Sequence, residues 1–239
     1  MKAPEALDKK LQRELGWRKK ELLVVETQIQ NMQETERLNT ALRSGIVLLY
    51  AHWEGFVKQA ASAYLEFIRT NIHEQNLRYQ EINQALIALT LEHRLLEKWR
   101  KTEGKNWEIP GRIMNFFMRN LTDFAQLPKA NQISMLSTWK MEWENFFEIM
   151  VLLGLDFAPY HSQEIRNLLN TRLFQNRNTV AHGERAFRDG LDKSQYLVIH
   201  SEMLVLMDSV SEQFYQAAMH NAYQDTSHSL ISQFRLPTS

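Results

Sequence analysis

The chain contains no cysteine. That excludes disulfides, thiolate nucleophiles and cysteine-based metal sites, and it fits a reducing, cytoplasmic setting. Glycine and proline are scarce, at 8 and 5 among 239 residues, so the chain is poor in turns. An excess of charge of either sign is missing too. Lys plus Arg and Asp plus Glu each number 28, so no global field draws in nucleic acid and any such contact has to be local. Long apolar runs are absent: the longest, Gly45 to Ala51 and Ile149 to Leu155, fall well short of the ~20 residues needed to cross a bilayer. The N-terminus, Met1-Lys2-Ala3-Pro4-Glu5, lacks the apolar core of a signal peptide. The expectation is a soluble, mostly helical protein that makes no membrane contact.

What is present reads as helix after helix. Pro4 suits a first turn, and residues 5–31 carry Leu11, Leu15, Leu22, Val25 and Ile29 in one stripe, with Lys19 and Lys20 on a solvated face. Asn31 followed by Glu34 resembles a capping box, predicting a second helix from residues 32–35 to about Thr70. Its middle, Ile46 to Tyr64, is apolar enough to be buried on more than one face, and Gly55 there predicts close helix packing. After a polar stretch from Asn71 to Tyr79, helical period returns from Ile82 to Arg100. It breaks over residues 101–111, resumes from Ile113 to Leu121, and gives way to a loop from Pro128 to Ser134.

Thr138 to Leu153 predicts an aromatic helix with Trp139, Trp143, Phe146 and Phe147. These rings read first as core and second as a base-stacking platform. Gly154 ends it, Ser162 caps the next helix, and Asp192 or Ser194 opens a last one running to about Tyr223. Residues 224–239 read as a frayed tail. His73-Glu74 and Glu92-His93 are isolated pairs without further ligands, so no metal or cofactor is expected. No Gly-rich phosphate loop and no Ser or Cys triad context occurs.

One stretch carries chemistry: Arg177-Asn178-Thr179-Val180-Ala181-His182-Gly183-Glu184. The apolar steps Ile165, Leu168, Leu169 and Leu173 predict an amphipathic helix, which places Asn178 and His182 one turn apart on one face. Arg177 starts about 100° away, but its long side chain can swing back toward that face. Gly183 offers the stop. A cation, an amide and an imidazole thus converge on a helix end, as phosphate chemistry requires. Taken singly, Arg177 reads as a salt-bridge residue and His182 as a C-cap favoured by the helix dipole. The whole string decides between the readings.

Arg-Asn-x-x-Ala-His-Gly-Glu closely resembles the signature of the HEPN superfamily. Leu48-Leu49-Tyr50-Ala51-His52-Trp53-Glu54-Gly55-Phe56-Val57-Lys58 resembles the first core helix of the MAE_28990/MAE_18760-like HEPN branch, and Leu136 to Asp156 resembles its middle helix. The resemblance spans roughly residues 40–215. It implies an all-α, up-and-down helical bundle with long core helices, one domain over 1–223 with a helical insertion at 75–130. It further implies a homodimer with a composite cleft, and a metal-independent endoribonuclease acting as a toxin or effector in a bacterial defence or conflict system. On that basis Arg177 and His182 are the catalytic candidates, Asn178 an orienting hydrogen-bonder, and Glu54 or Glu184 a support for the site. Lys58, one turn from Glu54, reads as its ion-pair partner. RNA and a cognate neutralising or effector protein are the expected partners. The alternative is a non-catalytic dimer that binds RNA, a nucleotide or a protein through the same cluster.

Overall fold

A computed structural model describes residues 2–33, 36–101, 121–138, 140–184 and 191–225. Three long helices organise it. Of the expected stripe on α1 (Pro4–Asn31), Leu11, Leu15, Leu22 and Ile29 are buried and Val25 partly so, Leu7 extends it, and Pro4 stands in the first turn. Helix α2 (Glu36–Glu74) is buried on several faces around Trp53, Phe56, Val57 and Tyr64, all at 0% exposure. The last helix, α7 (Lys193–Met219), contributes Tyr196, Ile199, Met203, Leu206, Met207, Val210 and Phe214. These three pack on one another. At one end the Lys2 amide donates to Asn71 at 2.8 Å, and at the other Lys193 donates to the Met32 carbonyl at 2.7 Å. Helix α1 therefore runs antiparallel to both of its neighbours.

Besides three single-turn 3₁₀ segments, the remaining described helices are α3 (Gln84–Lys101), the single turn α4 (Ser134–Ser137), α5 (Trp143–Leu152) and α6, which spans residues 163–181. The all-helical expectation holds: among the described residues the extended pairings are two isolated bridges, Arg78 with Phe124 and Ile82 with Gln224. Helix α6 lies along the first half of α2 and runs antiparallel to it, Arg177 facing Tyr50 and Glu184 reaching Arg43.

Several boundaries differ from the sequence reading. Asn31 closes α1, its side-chain amide donating to the Thr27 carbonyl at 2.9 Å, and α2 starts at Glu36. Glu34 lies outside the described residues. Helix α2 runs one turn past Thr70, because Asn71 and Ile72 are buried. The aromatic helix begins at Trp143 rather than Thr138, and α7 ends at Met219. Lys19 is more than a solvated residue, since it reaches Asp208 on α7 at 2.7 Å. The expected helix at 113–121 falls outside the described residues except for its last residue. Gln224 and Asp225 are tied down rather than frayed, through Gln75 and Glu81. We keep 75–130 as a proposed insertion; in its support, its described ends meet, Tyr79 donating to Asp123 at 3.1 Å and Ala125 to Leu77 at 2.8 Å.

Two glycines are close-approach sites. A Cβ on Gly45 would stand 2.8 Å from the Tyr196 hydroxyl, and one on Gly55 3.4 Å from the Arg18 guanidinium, which α1 lays across it. Within electrostatic range of that arginine is His52, with Nε2 3.0 Å from Glu21. Burial holds both His52 and His200 below the ordinary imidazole value of 6.5, against the opposing pull of Glu21 and Glu26 respectively. An unfolded chain therefore binds more protons than the folded one just below that value. Stability is expected to fall as pH drops through about 6.5, and a double His52→Gln, His200→Gln variant should flatten the trend. Melting temperatures at about pH 7.5 and about pH 5.5 check this; a wild-type melting point that rises on acidification would contradict it.

Candidate functional site

The helix carrying the motif starts as foreseen. Ser162 Oγ accepts from the Ile165 amide at 3.3 Å, and Gln163–Arg166 is ordinary α-helix. Asn167–Gln175 then widens into π-helix before α-helix resumes over Asn176–Ala181. Such widening is rare and is enriched at functional sites. Asn176 manages the return. Its amide N–H bonds Leu173 O, one residue short of the α pattern, and its side-chain Nδ2 takes the displaced Arg172 carbonyl at 2.8 Å. This accounts for an asparagine at 3% exposure in a position the apolar period would give to leucine.

The end of α6 is closed by three backbone bonds. His182 donates to Asn178 at 2.9 Å, Gly183 to Val180 at 3.0 Å and Glu184 to Thr179 at 3.1 Å, with Gly183 at φ +73°. This is a Schellman cap, which glycine accommodates without strain. His182 thus stands one turn above Asn178, as its spacing predicts, with an exposed side chain.

Arg177 is half-buried and held on two sides. It donates to Asn178 Oδ1 at 2.9 Å, and its guanidinium carbon lies 5.1 Å from the centroid of the Tyr50 ring. Tyr50 is itself fixed, at 3% exposure: its hydroxyl accepts from the Met141 amide at 2.9 Å and donates to the Glu54 carboxylate. Burial, with Glu54 adding to it, pushes the Tyr50 hydroxyl far above the ordinary phenol range. Burial alone would raise the Glu54 carboxyl. Hydrogen bonds from Lys58, at 2.8 Å, and from Tyr50 outweigh it and hold the group below its usual value.

The structure thus brings Arg177, Asn178 and, through Tyr50, Glu54 into one string. Glu54 supports the arginine platform and makes no described bond to His182. Glu184 contributes its carbonyl, which takes Arg43 at 2.6 Å. Lys58 pairs with Glu54 in a half-buried rather than a surface setting. The aromatic residues of α5 are chiefly core: Trp143 and Phe146 are buried against Phe157, while Phe147 is 39% exposed and Trp139 lies outside the described residues. Sequence reasoning passed over Tyr50 and Asn176. The first could have been found from spacing, since Tyr50, Glu54 and Lys58 recur every four residues on α2. Among the described residues no group of three or more His, Asp or Glu is placed to hold a metal ion, and no helix is long and apolar enough to cross a membrane.

Arg177, Asn178 and His182 thus lie on the last turn of one helix of an all-helical bundle. The chain belongs to the MAE_28990-like HEPN family, whose model matches residues 7–223. Membership is consistent with RNA-directed nuclease chemistry in general. No curated protein and no solved structure matches the chain.

Proposed function

We propose that the protein is a metal-independent endoribonuclease. The observation that carries this reading is Arg177, a cation without a carboxylate ion pair among the described residues, fixed on Tyr50 and on Asn178, with the exposed His182 one turn on from Asn178. RNA brings its own nucleophile. His182 takes the proton from a 2′-hydroxyl, the 2′-oxygen attacks the adjacent phosphorus, and the bond to the 5′-oxygen breaks, that oxygen taking up a proton from water. Arg177 holds the non-bridging oxygens and meets the charge that grows on them. The products are a 2′,3′-cyclic phosphate and a 5′-hydroxyl. Incubation with single-stranded RNA and with DNA, each in EDTA, tests this. RNA should be cut, DNA left whole and EDTA without effect; cleavage that EDTA abolishes would sink the reading.

The site is open on the side of His182, and a second copy facing it would complete a cleft around the phosphate. Sedimentation at micromolar concentration should give about twice 28.3 kDa. A strict monomer there would remove the composite site. A role as toxin or effector, with a neutralising partner protein, fits this chemistry as a proposal. With zero formal net charge there is no global field to draw in RNA, and the alternative is a dimer that binds RNA, a nucleotide or a protein through the same cluster without cutting.

A further inference from the structure

Tyr50 is the middle of a longer row. Its ring centroid lies 5.8 Å from that of Phe174, on the π stretch of α6, and the Lys140 ammonium lies 5.5 Å from the Phe174 centroid. Two adjoining aromatic rings therefore each carry a cation, Arg177 on Tyr50 and Lys140 on Phe174. Of the other cations nearby, Lys58 pairs with Glu54, Arg166 with Glu144 and Arg172 with Glu202, and Arg43 is held by the Glu184 carbonyl. Lys140 is exposed, and among the described residues no carboxylate comes within 4 Å of its ammonium. Glu142 is within electrostatic range of it without pairing.

The backbone that carries Lys140 is not a free loop. The Met141 amide donates to Tyr50, the Met141 carbonyl accepts from the Trp53 indole at 3.1 Å, and Lys140 O accepts from Asn145 at 2.8 Å. The hydroxyl that braces the Arg177 platform thus also braces the strut of Lys140. A neutral protein has no field to hold a polyanion in place, so discrete, unneutralised and pre-positioned cations must do it.

We propose that Lys140 is a second phosphate contact, engaging the same single strand whose scissile phosphate Arg177 holds, with Phe174 as the apolar wall between them. This rests on the nuclease reading above and adds to it the need for a flexible strand with a further phosphate beyond the cut. Duplex RNA, whose backbone is rigid, fits the row poorly.

The test is binding of a short fluorescein-labelled oligouridine by anisotropy across a salt series, in the His182→Ala background so that the probe survives. Removing one contact to a single strand should lower the slope of log K against log salt by about 0.7, which is about fivefold in affinity at ~0.1 M salt. Lys140→Ala should show both changes and Lys140→Arg should restore both. Lys10→Ala, an exposed lysine on α1, should show neither. Unchanged affinity and slope for Lys140→Ala would overturn the proposal, as would failure of the parent to bind the oligonucleotide at all. Lys140-dependent binding by a wild type that cuts no RNA would leave the contact standing and remove the nuclease reading. Cleavage by a wild type whose Lys140→Ala variant binds unchanged would do the reverse.

Discussion

Replacing His182 with alanine should lower RNA cleavage by ~10²–10⁴, and replacing Arg177 should cost a similar factor, with little change in melting temperature. The reason lies in where the two side chains sit. His182 is exposed on a capped helix end whose three closing bonds are all backbone, so truncation removes no packing and no cap. Arg177 lies over the Tyr50 ring at the rim, and its loss exposes that face without opening a cavity. Asn178→Ala should be milder, since it frees the guanidinium to move without deleting it. Cleavage rates on one single-stranded RNA, paired with thermal melts, check the set. A fall in activity that tracks a fall in melting temperature would assign these residues to the scaffold instead.

The largest stability effect is expected at Trp53, far from any exposed surface. Its side chain is at 0% exposure, its ring meets Phe146 edge-on at 5.1 Å, and its indole N–H holds the Met141 carbonyl. Trp53→Ala should cost ~3–5 kcal/mol, lowering the melting point by on the order of 10 °C in a chain of this size. Trp53→Phe keeps the ring contact and drops the hydrogen bond, leaving a buried carbonyl without its donor, and should cost ~1–3 kcal/mol. Denaturant unfolding of the two variants beside wild type measures both. If Trp53→Phe were as damaging as Trp53→Ala, the hydrogen bond rather than ring burial would dominate. If Trp53→Ala were neutral, α2 would not be the organising element of the core.

Trp53 also shows where the sequence stops being legible. Apolar periodicity reported the burial of α1, α2 and α7 correctly, because a stripe is a local property of one helix. Two caps were legible for the same reason, Ser162 and Asp192 each bonding an amide three residues on, whereas Asn31, read as opening α2, closes α1. The aromatic helix was drawn five residues too early, because Trp139, Trp143, Phe146 and Phe147 keep helical spacing straight through residue 142. What unwinds 140–142 is a pair of distant partners, Tyr50 and Trp53, which stand 91 and 88 residues away along the chain. Nothing in the local pattern announces them.

The candidate site divides in the same way. Arg177, Asn178 and His182 were readable as a string, and the i, i+4 relation of Asn178 to His182 survives at the end of α6. The π winding of Asn167–Gln175 was not readable, since leucines at 168, 169 and 173 satisfy either ladder. Its signature was the polar Asn176 in a buried slot, which reads as a mere exception until its side chain is seen holding the Arg172 carbonyl.

In the proposed reaction the RNA supplies the nucleophile while His182 and Arg177 move a proton and hold the phosphate. The most direct measurement maps the cut in a defined single-stranded RNA and then repeats the reaction with a single 2′-deoxy nucleotide on the 5′ side of that linkage. Cleavage at that linkage should vanish while other linkages are cut as before, and the unmodified product should end in a 2′,3′-cyclic phosphate. Cleavage of the deoxy-substituted linkage, or a product ending in a 3′-hydroxyl, would contradict it.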